Sequence, residues 1–284
     1  WLRSFNGGLV ATCGLRHVGA PPPNPDIFGA GLHGRIGNLP AENLKVTQEW
    51  QGNDYVLSIS GTMRETAVFG QNLTLTRTVS TKLGAKSFHI HDVVTNESFD
   101  TTGFQLLYHC NIGWPAVDAG SRLLSPTRQV APRDETARKG QDQWNRFDAP
   151  THGYAEQVFF HDMAPAAGSK VCCAIVNDAI GTDAGFGVFV KYDKRQLPRF
   201  AEWKMMGEQN YVVGLEPANC GVLGRHVDEK HGLLHRLAPG EARAFDLEIG
   251  PVTEAAEVKD IERQCGKQQT NIVGDYLAFT AKVK

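Results

Sequence analysis

One carboxylate and two histidines stand where a chain could use them to move protons. Glu216 ends the apolar run "YVVGLEPANC" (Tyr211–Cys220). Alternation sends Tyr211, Val213 and Leu215 to one face and Val212, Gly214 and Glu216 to the other, and Pro217 then ends regular pairing. A carboxyl group at the end of a buried strand is held toward its protonated form by desolvation, which suits it to proton transfer near neutral pH. His109 closes a second apolar run in "LLYHCNIGWP" (Leu106–Pro115), just ahead of a glycine and a tryptophan. His33 and Arg35 lie in "GLHGRIGNLPA" (Gly31–Ala41), among glycines that let backbone come close to a ligand. Each residue has a plain alternative: a strand-end glutamate in water, a satisfied core histidine, an incidental loop His and Arg.

Two other groups compete for attention. In "AEWKMMG" the indole of Trp203 could pack on the C–H face of a sugar, with Lys204 beside it, although a strand tryptophan is usually core. His89 and His91 of "FHIHDVVTNE" share one strand face, as in the metal strand of a cupin barrel. A metal needs at least a third converging ligand; Glu97 is undecided, no second histidine block follows, and surface or core histidines are the better reading.

These residues must be positioned by strands. Strand-like runs rich in β-branched and aromatic residues follow one another at Asp54–Met63, Asn72–Thr81, Ser87–Asn96 and Thr102–Gly113. Later runs are Tyr154–Met163, Lys170–Asp178, Gly185–Asp193, Arg199–Met206, Tyr211–Pro217 and Ala242–Gly250, with a tight hairpin around Gly207–Asn210. One helix is convincing, in "TEAAEVKDIERQ", with Thr253 as N-cap and Glu254 and Glu257 in its first turn. Strands without βαβ alternation predict an all-β fold, a large antiparallel sandwich or barrel. The expected organisation is a single domain over 1–284, with shortened N-terminal strands ahead of a chain that begins at Trp1, and a C-terminal helix and tail over 253–284. The proline-rich stretch Gly19–Gly31 reads as a long loop. Ser125–Gly153, polar and strand-poor, reads as a rim or lid.

Composition narrows the function classes. The 284 residues carry a formal net charge of −2, with 41% hydrophobic and 21% charged residues, so no electrostatic footprint points to nucleic acid or a membrane surface. No apolar stretch approaches the ~20 residues that span a bilayer. The six cysteines are scattered without a CxxC pair, the usage of a cytoplasmic protein rather than a disulfide framework or zinc site.

Taken together, the segments around His33, His109 and Glu216 resemble the three signature segments of the galactose mutarotase-like (aldose 1-epimerase) superfamily, most closely its uncharacterised DUF4432 branch. His33, Gly34, Arg35 and Asn38 match the early segment, Tyr108–His109 the middle one and Leu215–Glu216–Pro217 the late one, and "DVVTNES" (Asp92–Ser98) resembles the strand before the middle histidine. Order and spacing agree from about Gly7 to Gly250. The "HC" after Tyr108 and the long 125–153 loop depart from the commoner pattern.

The resemblance implies a β-supersandwich and interconversion of sugar anomers by ring opening and reclosure, without cofactor or metal. It assigns Glu216 as the base at the C1 hydroxyl and His109 as the donor to the ring oxygen. His33 would be a second catalytic histidine, and Arg35 and Asn38 substrate contacts. Trp203, Lys204 and Asn219 flank the same strands as further sugar contacts, and Arg64 could reach a phosphate or carboxylate substituent. Three alternatives stay open: a non-catalytic carbohydrate-binding protein on this fold, a cupin-like metal enzyme, and epimerisation at a carbon other than C1. The expected partner is a monosaccharide, neutral or anionic, and an exposed sheet edge could pair two subunits as a homodimer.

Overall fold

The structure, a computed structural model, describes residues 2, 7–24, 28–165, 168–180, 185–266, 269–274 and 276–280. Residues 25–27 of the proline-rich loop and 281–284 of the tail lie outside this set. The strands are β1 (Val10–Leu15), β2 (Glu42–Gln51), β3 (Asp54–Thr66), β4 (Asn72–Lys82), β5 (Phe88–Asn96), β6 (Thr102–Ile112), β7 (Arg122–Leu124) and β8 (Thr127–Pro132). They continue with β9 (Gln157–Met163), β10 (Lys170–Asn177), β11 (Phe186–Asp193), β12 (Arg199–Met206), β13 (Tyr211–Ala218), β14 (His235–Leu237), β15 (Ala242–Val252) and β16 (Asn271–Ile272). The α-helices are short: α1 (Glu135–Lys139), α2 (Arg225–Lys230), α3 (Ala255–Cys265) and α4 (Tyr276–Thr280). The all-β expectation holds, and no helix among the described residues is long and apolar enough to cross a membrane.

The chain falls into two compact units, Trp1–Tyr108 with Ala218–Glu248, and His109–Pro217 with Ile249–Lys284. The first unit holds an antiparallel meander β2-β3-β4-β5 with β15 beyond it, and β1 and β14 beside β6. Gly52, at φ +64°, makes the two-residue turn between β2 and β3 that a residue with a Cβ enters only with strain. The buried residues Leu73, Leu75, Ile90, Val94, Phe104, Leu106, Phe245 and Leu247 form its core. A charged group is buried there too: Arg77 grips Asp92 with two hydrogen bonds of 2.8 and 2.6 Å, and the Tyr108 hydroxyl donates to the same carboxylate at 2.7 Å.

The second unit holds the later part of β6, from His109, followed in order by β13-β12-β9-β8-β16, and a second sheet in which the end of β15, from Ile249, is followed by β11-β10-β7. Tyr192 of β11 stacks on Phe200 of β12 with centroids 6.1 Å apart, so the inner faces of the two sheets meet there. Helix α3 covers β10, burying Val258 and Ile261 against Cys172, Ala174 and Val176. Its N-cap is Glu254 rather than Thr253, with Glu254 and Glu257 forming a reciprocal capping box. The 125–153 region is less irregular than its sequence suggests. It carries β8, and Asp134 caps α1 by accepting from the Ala137 N–H at 2.9 Å.

Candidate active site

Three strands of the second unit bring Glu216, His109 and Trp203 together. β6, β13 and β12 are neighbours in that order, and each side chain stands on the same face of its sheet. His109 Nε2 lies 3.0 Å from Glu216 Oε1, and only 5% of His109 and 3% of Glu216 is exposed. The Trp203 ring meets the imidazole edge-on, with centroids 5.4 Å apart and planes at 70°. Trp203 is held in turn, since its indole N–H donates to Glu156 at 2.8 Å and Arg133 donates to the other oxygen of Glu156 at 2.9 Å. Arg133 also donates to Asp134 at 2.8 Å, which fastens this chain of contacts to the cap of α1.

Burial pushes both members of the central pair toward their neutral forms. Desolvation raises the Glu216 pKa from 4.5 to about 8, with the charges of Glu156 and Glu202 adding and Arg133 opposing. Desolvation also lowers the His109 pKa from 6.5 to about 4, opposed by a hydrogen bond with Asn111. Between those values the pair holds one transferable proton in a 3.0 Å contact. One partner is therefore an acid while the other is a base, and shifting the proton exchanges the roles.

Gly214 makes the contact possible. A Cβ at this position would lie 2.7 Å from Glu216 Oε1 and 2.9 Å from the imidazole Cε1, so any side chain pushes the pair apart. Gly214→Ala is expected to cut any turnover carried by this pair by about 10- to 100-fold, since misplacement by ~1 Å costs on that order, and to lower stability by about 1–3 kcal/mol, since the Cβ overfills a buried site. A kcat within twofold of the parent's would show that the contact is dispensable.

Lys204 is a correction. Neighbours on a strand face opposite ways, so β12 cannot present Trp203 and Lys204 to one ligand. Lys204 is buried on the inner face, where its ammonium donates to the Gln143 carbonyl at 3.1 Å and lies 5.8 Å from the centre of the Phe147 ring. Glu202 shares that face, 3.3 Å from His161. Asn219 is likewise occupied as a brace for β6: its side-chain oxygen accepts from the Leu106 N–H at 2.7 Å, and its own N–H donates to the Leu106 carbonyl at 3.0 Å.

The remaining residues read from the sequence belong to the first unit. His33 is half-buried with φ +59°, its N–H on the Gly19 carbonyl and its carbonyl accepting from Gly14. The glycines here serve chain-on-chain contact: Gly34, at φ +74°, runs so close to the carbonyls of Gly14 and His17 that a Cβ has no room. Arg35 is exposed near the buried Glu65, whose carboxylate accepts from the Leu15 N–H at 2.5 Å. Asn38, with Thr12, Ser60 and Arg77, lines a cavity of about 400 Å³ among aliphatic side chains. Arg64 is exposed and engaged, donating to Asn72 at 2.9 Å and to Glu97 at 3.4 Å. His91 pairs with Asp246 at 2.7 Å on the surface, and no group of three or more metal-binding side chains occurs among the described residues.

Glu156 and Arg133 escape a reading of the sequence. Arg133 sits in a polar stretch without periodicity, Glu156 lies just ahead of the apolar part of the Tyr154–Met163 run, and the 22 residues between them disguise a direct ion pair. The long polar region around Arg133 is the one available signal.

Comparison with known proteins follows the same lines. The chain is similar to the crystal structure of a candidate aldose 1-epimerase from Klebsiella pneumoniae subsp. pneumoniae MGH 78578, with a TM-score of 0.88 and 27% identity, covering 97% of this chain and 74% of that one. A galactose mutarotase related enzyme from Lactobacillus acidophilus matches with a TM-score of 0.53 and 15% identity over 79% of this chain and 75% of its own. The GalM/aldose epimerase homologue from C. elegans matches at 0.52 and 11%, over 85% and 82%. At such identities these last two show the fold alone. No curated protein matches the chain. The family model described as a domain of unknown function, DUF4432, matches residues 1–250. The chain has the galactose mutarotase-like β-sandwich fold and belongs to the DUF4432 family.

Proposed function

We propose that the protein is an aldose 1-epimerase-like isomerase that interconverts the anomers of a reducing sugar or sugar derivative. The observation that carries this reading is the buried 3.0 Å contact between His109 and Glu216, an imidazole and a carboxyl group that burial pushes toward their neutral forms. Its similarity to a candidate aldose 1-epimerase supports the reading.

Ring opening takes the proton from the C1 hydroxyl and delivers one to the ring oxygen, two atoms bonded to the same carbon. An acid and a base in direct contact suit that geometry. The pair rests with its proton on Glu216; once that proton has shifted to His109, Glu216 removes the hydroxyl proton and His109 protonates the ring oxygen. The aldehyde then rotates, and the reverse transfers close the ring on its other face. The proton count is unchanged after each turnover, and the steps use proton transfers alone.

Trp203, half-buried above the imidazole, is the surface on which the sugar's C–H face would rest. Trp203→Ala is expected to raise KM by about 2- to 10-fold, the equivalent of the 0.5–1.5 kcal/mol that aromatic contacts contribute. Trp203→Phe should recover most of that loss; an unchanged KM in both variants would remove Trp203 from the site. His33, Arg35 and Asn38 enter the proposal as binding residues through the sequence resemblance.

The test is anomeric equilibration of freshly dissolved α-anomers of aldoses, uronic acids and sugar phosphates, followed by NMR with and without protein. Acceleration for one sugar, lost in both Glu216→Gln and His109→Ala, supports the isomerase and names its substrate. Saturable shift changes without acceleration would replace the proposal with a sugar-binding protein.

A further inference from the structure

Strand β2 is a long edge with nothing beyond it among the described residues: its sheet runs β2-β3-β4-β5, and β2 is bonded to β3 alone. It is exposed along both faces. Leu44, Val46 and Trp50 are 66%, 68% and 69% exposed, and Ile59, opposite Val46, extends the same apolar face. Natural edges of this length are usually blunted, because unpaired backbone groups recruit another strand.

The hairpin geometry shows which groups are on offer. Gln51 and Asp54 close a two-residue turn, and the register stays constant from there to Lys45↔Ser60. A closing pair of this kind is hydrogen-bonded, so Lys45, Thr47, Glu49 and Gln51 turn their N–H and C=O groups onto β3. Val46, Gln48 and Trp50 turn theirs outward. A second β2 must therefore pair even-numbered residues with even-numbered residues.

We propose that β2 pairs antiparallel with β2 of a second copy of this chain, about a two-fold axis through Thr47. That register sets Val46 against Gln48 twice and brings Leu44, which lies in the bulge between Glu42 and Lys45, near Trp50 of the other copy. It also sets Lys45 against Glu49 twice, as non-hydrogen-bonded neighbours whose side chains approach closely. The charges decide among the allowed registers. An axis through Val46 faces Lys45 with Thr47, an axis through Gln48 faces it with Gln51, and an axis through Glu49 puts two glutamates opposite each other. Only the Thr47 axis answers each lysine with a carboxylate. Glu49 is exposed, holding the Gln51 amide at 2.9 Å, a surface contact that exchanges readily for an ammonium. The apolar faces of the two hairpins then join, with Leu44 on the indole of Trp50 from the other copy.

Light scattering at about 100 µM, a range in which small strand-edge interfaces are populated, tests the pairing. The parent protein is expected to be a dimer. Lys45→Glu, which puts four carboxylates along the seam, is expected to be a monomer with an unchanged circular dichroism spectrum. The charge swap Lys45→Glu/Glu49→Lys is expected to restore the dimer. A monomeric parent, a dimer that survives Lys45→Glu, or a swap that fails to restore association would each overturn the proposal.

Discussion

Replacing Glu216 by glutamine is expected to lower kcat for anomer interconversion by about 10²- to 10⁴-fold, the usual contribution of a positioned acid–base group, while sugar affinity changes by less than about threefold. Glutamine keeps the size and the polar contact of the protonated side chain, so the 3.0 Å approach to His109 and the packing under Gly214 survive. The variant lacks a removable proton. In the parent, one proton moves between the two side chains and lets each act once in ring opening and once in closure. With an amide in place, His109 alone must both accept and donate, and the two events fall on different oxygens of the sugar. Binding uses hydroxyl contacts and the Trp203 face, which the change does not touch. Stopped polarimetry for rate and NMR titration for affinity separate the two effects. Equal losses in both would assign Glu216 to binding, and an unchanged rate would remove it from the chemistry.

The parts of this site that a reader can find in the sequence are those written into single strands. Glu216 is visible because alternation in "YVVGLEP" aims an acid along a buried row, and Gly214, two residues earlier, marks the space it needs. His109 is visible for the same reason. Lys204 shows the limit of proximity as a guide, since the pleat that turns Trp203 to the pair turns its neighbour inward, toward Glu202 and His161. Strand β2 is only partly legible: Leu44, Val46 and Trp50 alternate with polar residues in "ENLKVTQEWQ", but Gln48 interrupts the row and exposure on both faces leaves no buried run to mark it. β1 leaves little signal because "VATCGL" is short and is interrupted by a glycine. The Arg133–Glu156–Trp203 chain joins loops to a strand across the fold, and pairings of that kind leave no mark on either segment. The cap of α3 moved by one residue because Glu257 reaches the backbone of both Thr253 and Glu254, and only the latter completes the reciprocal bond.

A second large effect concerns stability rather than rate. Glu216→Gln is expected to stabilise the folded protein at alkaline pH, and by more as the pH rises. Glu216 titrates near 4.5 in an unfolded chain and at about 8 when folded, so the folded state binds its proton more tightly. Its contribution is therefore fully present below pH 4.5 and is lost as the pH climbs through about 8. His109 works in the opposite sense. Its pKa falls from 6.5 to about 4 on folding, so its contribution is present above 6.5 and is lost as the pH drops through about 4. Between 4.5 and 6.5 the two slopes offset one another, and the pair is near its most stable. Above 6.5 only Glu216 is still changing, and the remaining window up to about 8 spans about 1.5 pH units. At about 1.4 kcal/mol per unit, that window is worth about 2 kcal/mol of lost stability in the parent and none in the variant. Urea denaturation of both proteins at pH 6.5 and pH 8.5 measures this directly. The stability of Glu216→Gln relative to the parent should rise by about 2 kcal/mol between the two conditions. A difference that stays constant with pH would mean that Glu216 is already ionised at pH 6.5. The shared proton, and with it the exchange of acid and base roles, would then have to be abandoned.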